Sequence, residues 1–184
     1  MTTFKLRLPS YFSNTIRRQI GELYASTAIA DLAISIVMLF EPIFLYSVLG
    51  FSIEQVLWFM AAVYALYIVL IPFGAKIINR FGYEHAIFFS IPFQILYWGL
   101  LFGSEKYFSL IYFAPLVFAI EKSLFWPAFH ASVARFARDG QRGREFSVLY
   151  AIVNIVFIVG PFIGGFLSEN FGIRMAFAVA SVVY

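Results

Sequence analysis

The chain has 184 residues, 62% of them apolar and only 12% charged, with 24 Phe, 11 Tyr and 3 Trp and a mean hydropathy of +0.86. Soluble domains average roughly 45–50% apolar and about 25% charged, so a globule of this size has too little interior for so much apolar surface, and the chain is expected to lie in a membrane. Zero Cys excludes disulfides, Cys-ligated metal centres and thiol nucleophiles, two His are too few for a His-built metal site, and the net charge of +3 falls in short loops between apolar runs, where it reports orientation instead of nucleic acid.

Residues 1–24 carry Lys5, Arg7, Arg17 and Arg18 without an apolar core followed by a small-residue cleavage site, which predicts a cytoplasmic lead with a surface helix from Asn14 and no cleaved signal. A hydrocarbon core of about 30 Å takes about 20 helical residues. Runs of that kind lie at 25–49, 56–78, 86–103, 107–133 and 146–167, and a sixth opens at Ile173 and reaches Tyr184 after 12 residues. Twelve residues make only about 18 Å of helix at 1.5 Å per residue, so the chain reads as cut inside its sixth span. Connections are short, and residues 25–184 are expected to form one transmembrane bundle.

The basic residues then set the orientation. Ten of them fall on one side, in the lead, at Lys76 and Arg80, and at Arg135, Arg138, Arg142 and Arg144, against Lys106 and Arg174 on the other. The positive-inside rule therefore puts the N-terminus and the loops after spans 2 and 4 in the cytoplasm.

A shift of 90 residues lays Asp31 on Glu121, Gly74 on Gly164, Phe81-Gly82 on Phe171-Gly172 and Ala86 on Ala176. The offset equals the spacing of span 1 to span 4 and of span 2 to span 5. A unit of three crossings returns inverted, and inverted repeats are characteristic of secondary transporters.

Three stretches carry a resemblance. Ala75 to Glu84 is similar to the loop motif Gly-x-x-x-Asp-Arg-x-Gly-Arg-Lys of the major facilitator superfamily: Arg80 and Gly82 match, while Asn79 replaces the Asp, Ala75 the first Gly and Tyr83-Glu84 the basic pair. The segment Gln141 to Phe146 resembles the Arg-Gly-Arg lead into that family's fifth helix. Late in span 5, Gly160-Pro161-Phe162-Ile163-Gly164-Gly165 matches the motif Gly-Pro-x-x-Gly-Gly in full. The helix-4 Arg motif is absent, with Leu116 or a neighbour in its place. The chain thus resembles, from about Leu23 to Tyr184, the N-terminal six-helix half of such a transporter. The resemblance implies an all-α membrane bundle with a 3+3 inverted repeat and a cavity lined by helices 1 and 4. It also implies an inner latch at Asn79-Arg80-Gly82, a hinge or seal at Gly160, Pro161, Gly164 and Gly165, and a C-terminal six-helix half as partner. From the residues themselves, glycines on one helix face let another backbone come close, which serves a seal and ordinary packing equally.

Ionisable residues within the spans fall only on helices 1 and 4: Asp31, Glu41, Glu121, Lys122 and His130. A charge at membrane depth costs at least about 2.5–3.5 kcal/mol, so these residues are expected to face protein or a water-filled cavity. From the inner ends, Asp31 lies about 9 Å deep, Lys122 about 17 Å, Glu121 about 18 Å and Glu41 about 24 Å. Tyr24, Asp31, Ser35 and Pro42 share one helical stripe, and Lys122, Trp126 and His130 another. Glu121 and Lys122, adjacent in sequence, do not face each other; each needs its own partner, or Glu121 holds a proton at rest.

The reading is a secondary active transporter of a small solute working by alternating access, proton-coupled through Asp31 or Glu121, with Lys122 as counter-charge or anion-binding group and Glu41 as a further candidate. Export is the expected direction, since the Gly-Pro motif is associated with antiporters in the family. The competing account of the charges is a fixed ion pair of Lys122 with Glu41 or Asp31 that only orders the bundle. His130 is expected to be a hydrogen-bonded interfacial residue, the Phe and Tyr abundance lipid-facing or packing surface with belts at Tyr107 and Tyr112, and Trp58, Trp98 and Trp126 uninformative about substrate. No enzyme constellation, nucleotide cofactor, metal or nucleic acid is implied. A non-transporting membrane scaffold on the same fold is the alternative function. In cells expressing the protein in the plasma membrane, Glu84→Cys should escape an impermeant maleimide added outside while Lys106→Cys reacts; the reverse pattern overturns the orientation.

Overall fold

The computed structural model of the protein describes residues 14–136 and 142–184. Lys5, Arg7, Arg138 and Gln141 lie outside them, as do the side chains of Arg17, Arg18, Arg135, Arg142 and Arg144. The described residues form seven α-helices: α1 (Asn14–Met38), α2 (Phe40–Ser47), α3 (Ile53–Phe81), α4 (Tyr83–Ser104), α5 (Ala114–Phe136), α6 (Arg142–Phe171) and α7 (Ile173–Val183), with a short 3-10 helix at Phe108–Tyr112. Five stretches are long and apolar enough to cross a membrane, Tyr24–Ser47, Ile53–Phe81, Tyr83–Ser104, Phe108–Ser132 and Ser147–Phe171, and Ile173–Val183 is a shorter apolar helix.

Three local features differ from the sequence reading. Helix α1 runs from Asn14 into the first span without a break, so no separate surface helix precedes it. The first span is interrupted at Leu39 instead, because Pro42 has no N–H to offer the carbonyl of Met38. The fourth span opens as the 3-10 helix, and α5 begins afresh where Pro115 occupies its first turn, a place where a missing N–H costs nothing. At α3 the start is fixed by a capping box: Ser52 Oγ accepts from the Gln55 N–H at 3.2 Å and Gln55 Oε1 accepts from the Ser52 N–H at 2.8 Å.

The internal repeat extends to the backbone. Gly82 and Gly172, equivalent under the 90-residue shift, both adopt positive φ, +87° and +85°, with ψ of 159° and 151°. Each ends one helix by donating its N–H four residues back, to Ile78 and Ser168, and starts the next. A side chain there would strain the left-handed backbone. The packing repeats as well: α1 lies along α6 as α5 lies along α3, α1 meets α7 as α5 meets α4, and α4 meets α7 across the centre. The loops after α2, α4 and α6 gather at one end of the bundle, where the Phe51 and Phe108 rings meet edge-on at 5.9 Å and Arg174 pairs with Glu105 at 3.0 Å.

Lipid gives helices no hydrophobic reason to associate, so contact is won by close backbone packing at small residues. Gly74 on α3 lies against the backbone carbonyl of Ser123 on α5, a carbonyl whose helical donor is missing because residue 127 is Pro. Gly164 on α6 lies against the carbonyl of Ile36 and the ring of Phe40, and Gly160 against Ser35. Ser35 Oγ is shared between the carbonyls of Leu32 at 2.9 Å and Val156 across the interface at 3.2 Å. Gly165 has only the Phe40 ring, 3.8 Å from where a Cβ would stand. The core proper runs from Ala33, Ile36 and Val37 through Phe44 and Leu45 to Tyr97, Trp98 and Leu101 of α4 and Ala176, Phe177 and Ala180 of α7. Gly164→Val should lower stability by about 1–3 kcal/mol through overpacking, whereas Gly165→Ala should be neutral or gain about 0.5–1 kcal/mol from helix propensity; thermal unfolding of the purified protein in detergent separates the two.

Candidate functional site

A groove of about 350 Å³ lies between α3 and α5, lined by Tyr64, Tyr67, Lys122, Trp126, Pro127 and His130. The stripe Lys122, Trp126, His130 read from helical periodicity is therefore a real surface, and α3 supplies the facing wall. Ser123 meets Gly74, and Lys122, rotated by one residue around the same helix, reaches the groove. Trp126 and His130 stack with centroids 5.8 Å apart and planes 29° apart. Trp126 is thus a lining residue, contrary to the expectation that all three Trp carry no information on a ligand. Trp98 is core and Trp58 is exposed, as a neutral role requires. His130 stacks on Trp126 and meets the Phe129 ring edge-on, and it makes no hydrogen bond to another residue among the described ones.

Behind the groove a row of rings leads to a buried acid. The Lys122 ammonium stands 4.1 Å from the centroid of Phe118, one turn away on the same helix, and 5.8 Å from that of Tyr64. Phe118 stacks on Tyr97 of α4 at 4.1 Å with planes only 10° apart. The Tyr97 hydroxyl donates to Glu41 Oε1 at 2.5 Å, both residues being buried. Tyr97 was not among the sequence candidates; a Tyr in an apolar helix looks like packing until the acid opposite it is known.

The structure brings three of the four charged candidates into one electrostatic neighbourhood. Lys122 interacts through space with both Glu41 and Glu121. Among the described residues, however, no ion pair within 4.0 Å joins Lys122 to Asp31, Glu41 or Glu121, so the fixed ion pair weighed from the sequence is not formed. Glu121 is buried and does not line the groove, and Tyr67 of the groove wall and Tyr184 are within its electrostatic reach. Asp31 is half-buried on α1, on the side of Tyr184.

The two motif regions fare differently. Asn79 and Arg80 are exposed, Arg80 lies over the ring of its neighbour Phe81 at 5.3 Å, and neither makes an ion pair among the described residues. Gly82 makes the tight turn the motif needs. Of the helix-5 motif, Gly160 and Gly164 are sites of close helix approach, and Gly165 is not. Pro161 follows directly on the Gly160 contact, inside α6.

A bundle of five membrane-length stretches and a shorter apolar helix, with a repeated helix packing, a Gly-turn after the second stretch and a Gly-Pro segment closing on the first, agrees with what the sequence comparison finds. The Major Facilitator Superfamily model matches residues 23–184. The chain belongs to the Major Facilitator Superfamily. Among superfamily relatives it is similar to Multidrug resistance protein 2 of Bacillus subtilis strain 168, 27% identical over 161 residues that cover 88% of this chain and 40% of the relative. It is also similar to Quinolone resistance protein NorA of Staphylococcus aureus strain Mu50, 25% identical over 155 residues that cover 84% of this chain and 39% of the relative. The chain thus spans about two fifths of the length of these superfamily relatives. The membrane-length helices and this membership place the bundle in a lipid bilayer.

For the Glu41–Tyr97 contact, a double-mutant cycle of Glu41→Gln and Tyr97→Phe, read by thermal unfolding, should give a coupling energy of about 0.5–3 kcal/mol. Additive effects would mean that the hydrogen bond carries no stability.

Proposed function

We propose that this chain is the N-terminal half of a proton-coupled secondary transporter that exports small organic solutes across the plasma membrane by alternating access, with the N-terminus in the cytoplasm. The observation that carries the reading is the groove with Lys122 on its wall and Glu121, the next residue back, buried in the bundle behind it. A solute in the groove and a proton on Glu121 then lie against neighbouring positions of one helix, so the occupancy of one changes the electrostatic cost of the other. Asp31, equivalent to Glu121 under the internal repeat, is the second candidate carrier. The printed names of the relatives, multidrug and quinolone resistance proteins, support export of drug-like solutes over uptake of a nutrient.

In this reading the groove forms part of a central cavity, completed by a second six-helix half. The glycine crossings at Gly160 and Gly164 let α6 rock against α1 without breaking side-chain interdigitation, and Gly82 holds the inner turn while Asn79 and Arg80 engage and release that second half. The positive-inside asymmetry supports the orientation.

The test is transport by the complete protein, this chain joined to its second six-helix half, reconstituted in proteoliposomes with a fluorescent zwitterionic drug. An imposed pH gradient should drive accumulation. Glu121→Gln should reduce the gradient-driven rate to that of protein-free vesicles while leaving solute counterflow intact, because counterflow needs no net proton movement. Unchanged gradient-driven transport removes Glu121 from the proton path, and the same outcome for Asp31→Asn removes both candidates. No counterflow of any solute by well-folded protein favours a scaffold.

A further inference from the structure

The groove's chemistry specifies what it should hold. Lys122 is half-buried, and among the described residues that line the groove it is the only Lys, Arg, Asp or Glu. A partly buried ammonium is costly unless it is paired. The two acids that feel its charge do not line the groove: Glu41 is engaged by Tyr97, Glu121 is buried, and neither comes within ion-pair distance of Lys122. What Lys122 has instead is the face of Phe118 at 4.1 Å, which leaves its strong charge-assisted donor capacity unused.

The other lining groups are flat and aromatic. Trp126 and His130 present a stacked wall on α5, and Tyr64 and Tyr67 face it from α3 with hydroxyls able to donate. Aromatic walls alone attract organic cations, but here the fixed ammonium repels them. The volume of about 350 Å³ falls at the small end of ligand sites.

We infer that the groove between α3 and α5 is a binding subsite for aromatic organic anions, the ligand's carboxylate held by Lys122 and its rings slotted between Tyr64 and Tyr67 on one side and Trp126 and His130 on the other. The inference deepens the transporter reading by naming the ligand class of that site, and it rests on that reading only for the purpose of binding. Within a zwitterionic drug, the subsite takes the carboxylate-bearing ring system.

The experiment measures binding of three isosteric probes, 2-naphthoate, neutral 2-naphthamide and 2-naphthylmethylammonium, to the purified protein in phosphatidylcholine nanodiscs by equilibrium dialysis. Naphthoate should bind about tenfold tighter than naphthamide, the scale of one charge-assisted hydrogen bond, and the ammonium probe weakest. Lys122→Met should erase the preference while leaving naphthamide binding in place, Lys122→Arg should keep it, and Trp126→Leu should weaken naphthoate and naphthamide alike. A naphthoate no tighter than naphthamide, an ammonium probe that binds best, or a preference that survives Lys122→Met overturns the inference, and the first two need no variant at all. Naphthoate preference in this chain, with no solute moved in vesicles by the complete protein, would retain the subsite and sink the transporter reading; transport by the complete protein without the preference would do the opposite.

Discussion

Everything in this bundle hangs from two crossings at which one helix backbone lies directly on another. Gly74 covers the Ser123 carbonyl, and Gly160 and Gly164 cover the Ser35–Ile36 turn. In lipid such contacts replace the hydrophobic effect as the source of helix association, through dispersion and weak C–H···O contacts that only a missing side chain permits. The first crossing also quenches a carbonyl that Pro127 leaves without its helical donor. The two sit at repeat-equivalent glycines, so one solution serves both units: the second helix of each packs on the first helix of the other. With α3 fixed to α5 at Gly74, the side chains one residue around from Ser123 and two turns back from Gly74 are left to define the groove.

The charged residues follow from that scaffold. Glu121 and Lys122, neighbours in sequence, point about 100° apart around α5, the acid buried in the bundle and the base on the groove. Their separation prevents a short ion pair from neutralising both. Two stacked rings, Phe118 and Tyr97, occupy the space between Lys122 and Glu41, and a phenolic hydroxyl serves the acid in place of a cation. The interaction that remains is a through-space one in a medium of low dielectric, where it is still felt across several ångströms.

Much of this was legible in the sequence. The apolar runs correspond to five stretches long enough to cross a membrane, and the 90-residue shift aligned Gly82 with Gly172, because a repeated backbone requirement for positive φ leaves a repeated Gly. The stripe Lys122, Trp126, His130 followed from periodicity alone. What periodicity could not supply was lateral position. The depths of Lys122 and Glu41, about 17 and 24 Å by helical rise, place them about one turn and a third apart, yet say nothing of the two rings between them, so an ion pair looked available. Trp126 looked uninformative for the same reason: its facing wall, Tyr64 and Tyr67, belongs to another helix. The interruption at Leu39 had its cause in plain view at Pro42, but an unbroken hydropathy run conceals a lost hydrogen bond.

That interruption divides the first span mechanically. Below Leu39, α1 is fastened to α6 through Ser35 and the glycine face. Above it, α2 is fastened elsewhere, by Glu41 to Tyr97 of α4 and by Phe44, edge-on at 5.2 Å, to Phe177 of α7. One membrane-length segment is therefore shared between two walls, with the hydrogen bond lost at Pro42 as the joint. A helix that lacks a backbone hydrogen bond bends there more easily than elsewhere, so a tilt of α1 with α6 need not pass in full to α2 and the helices it touches.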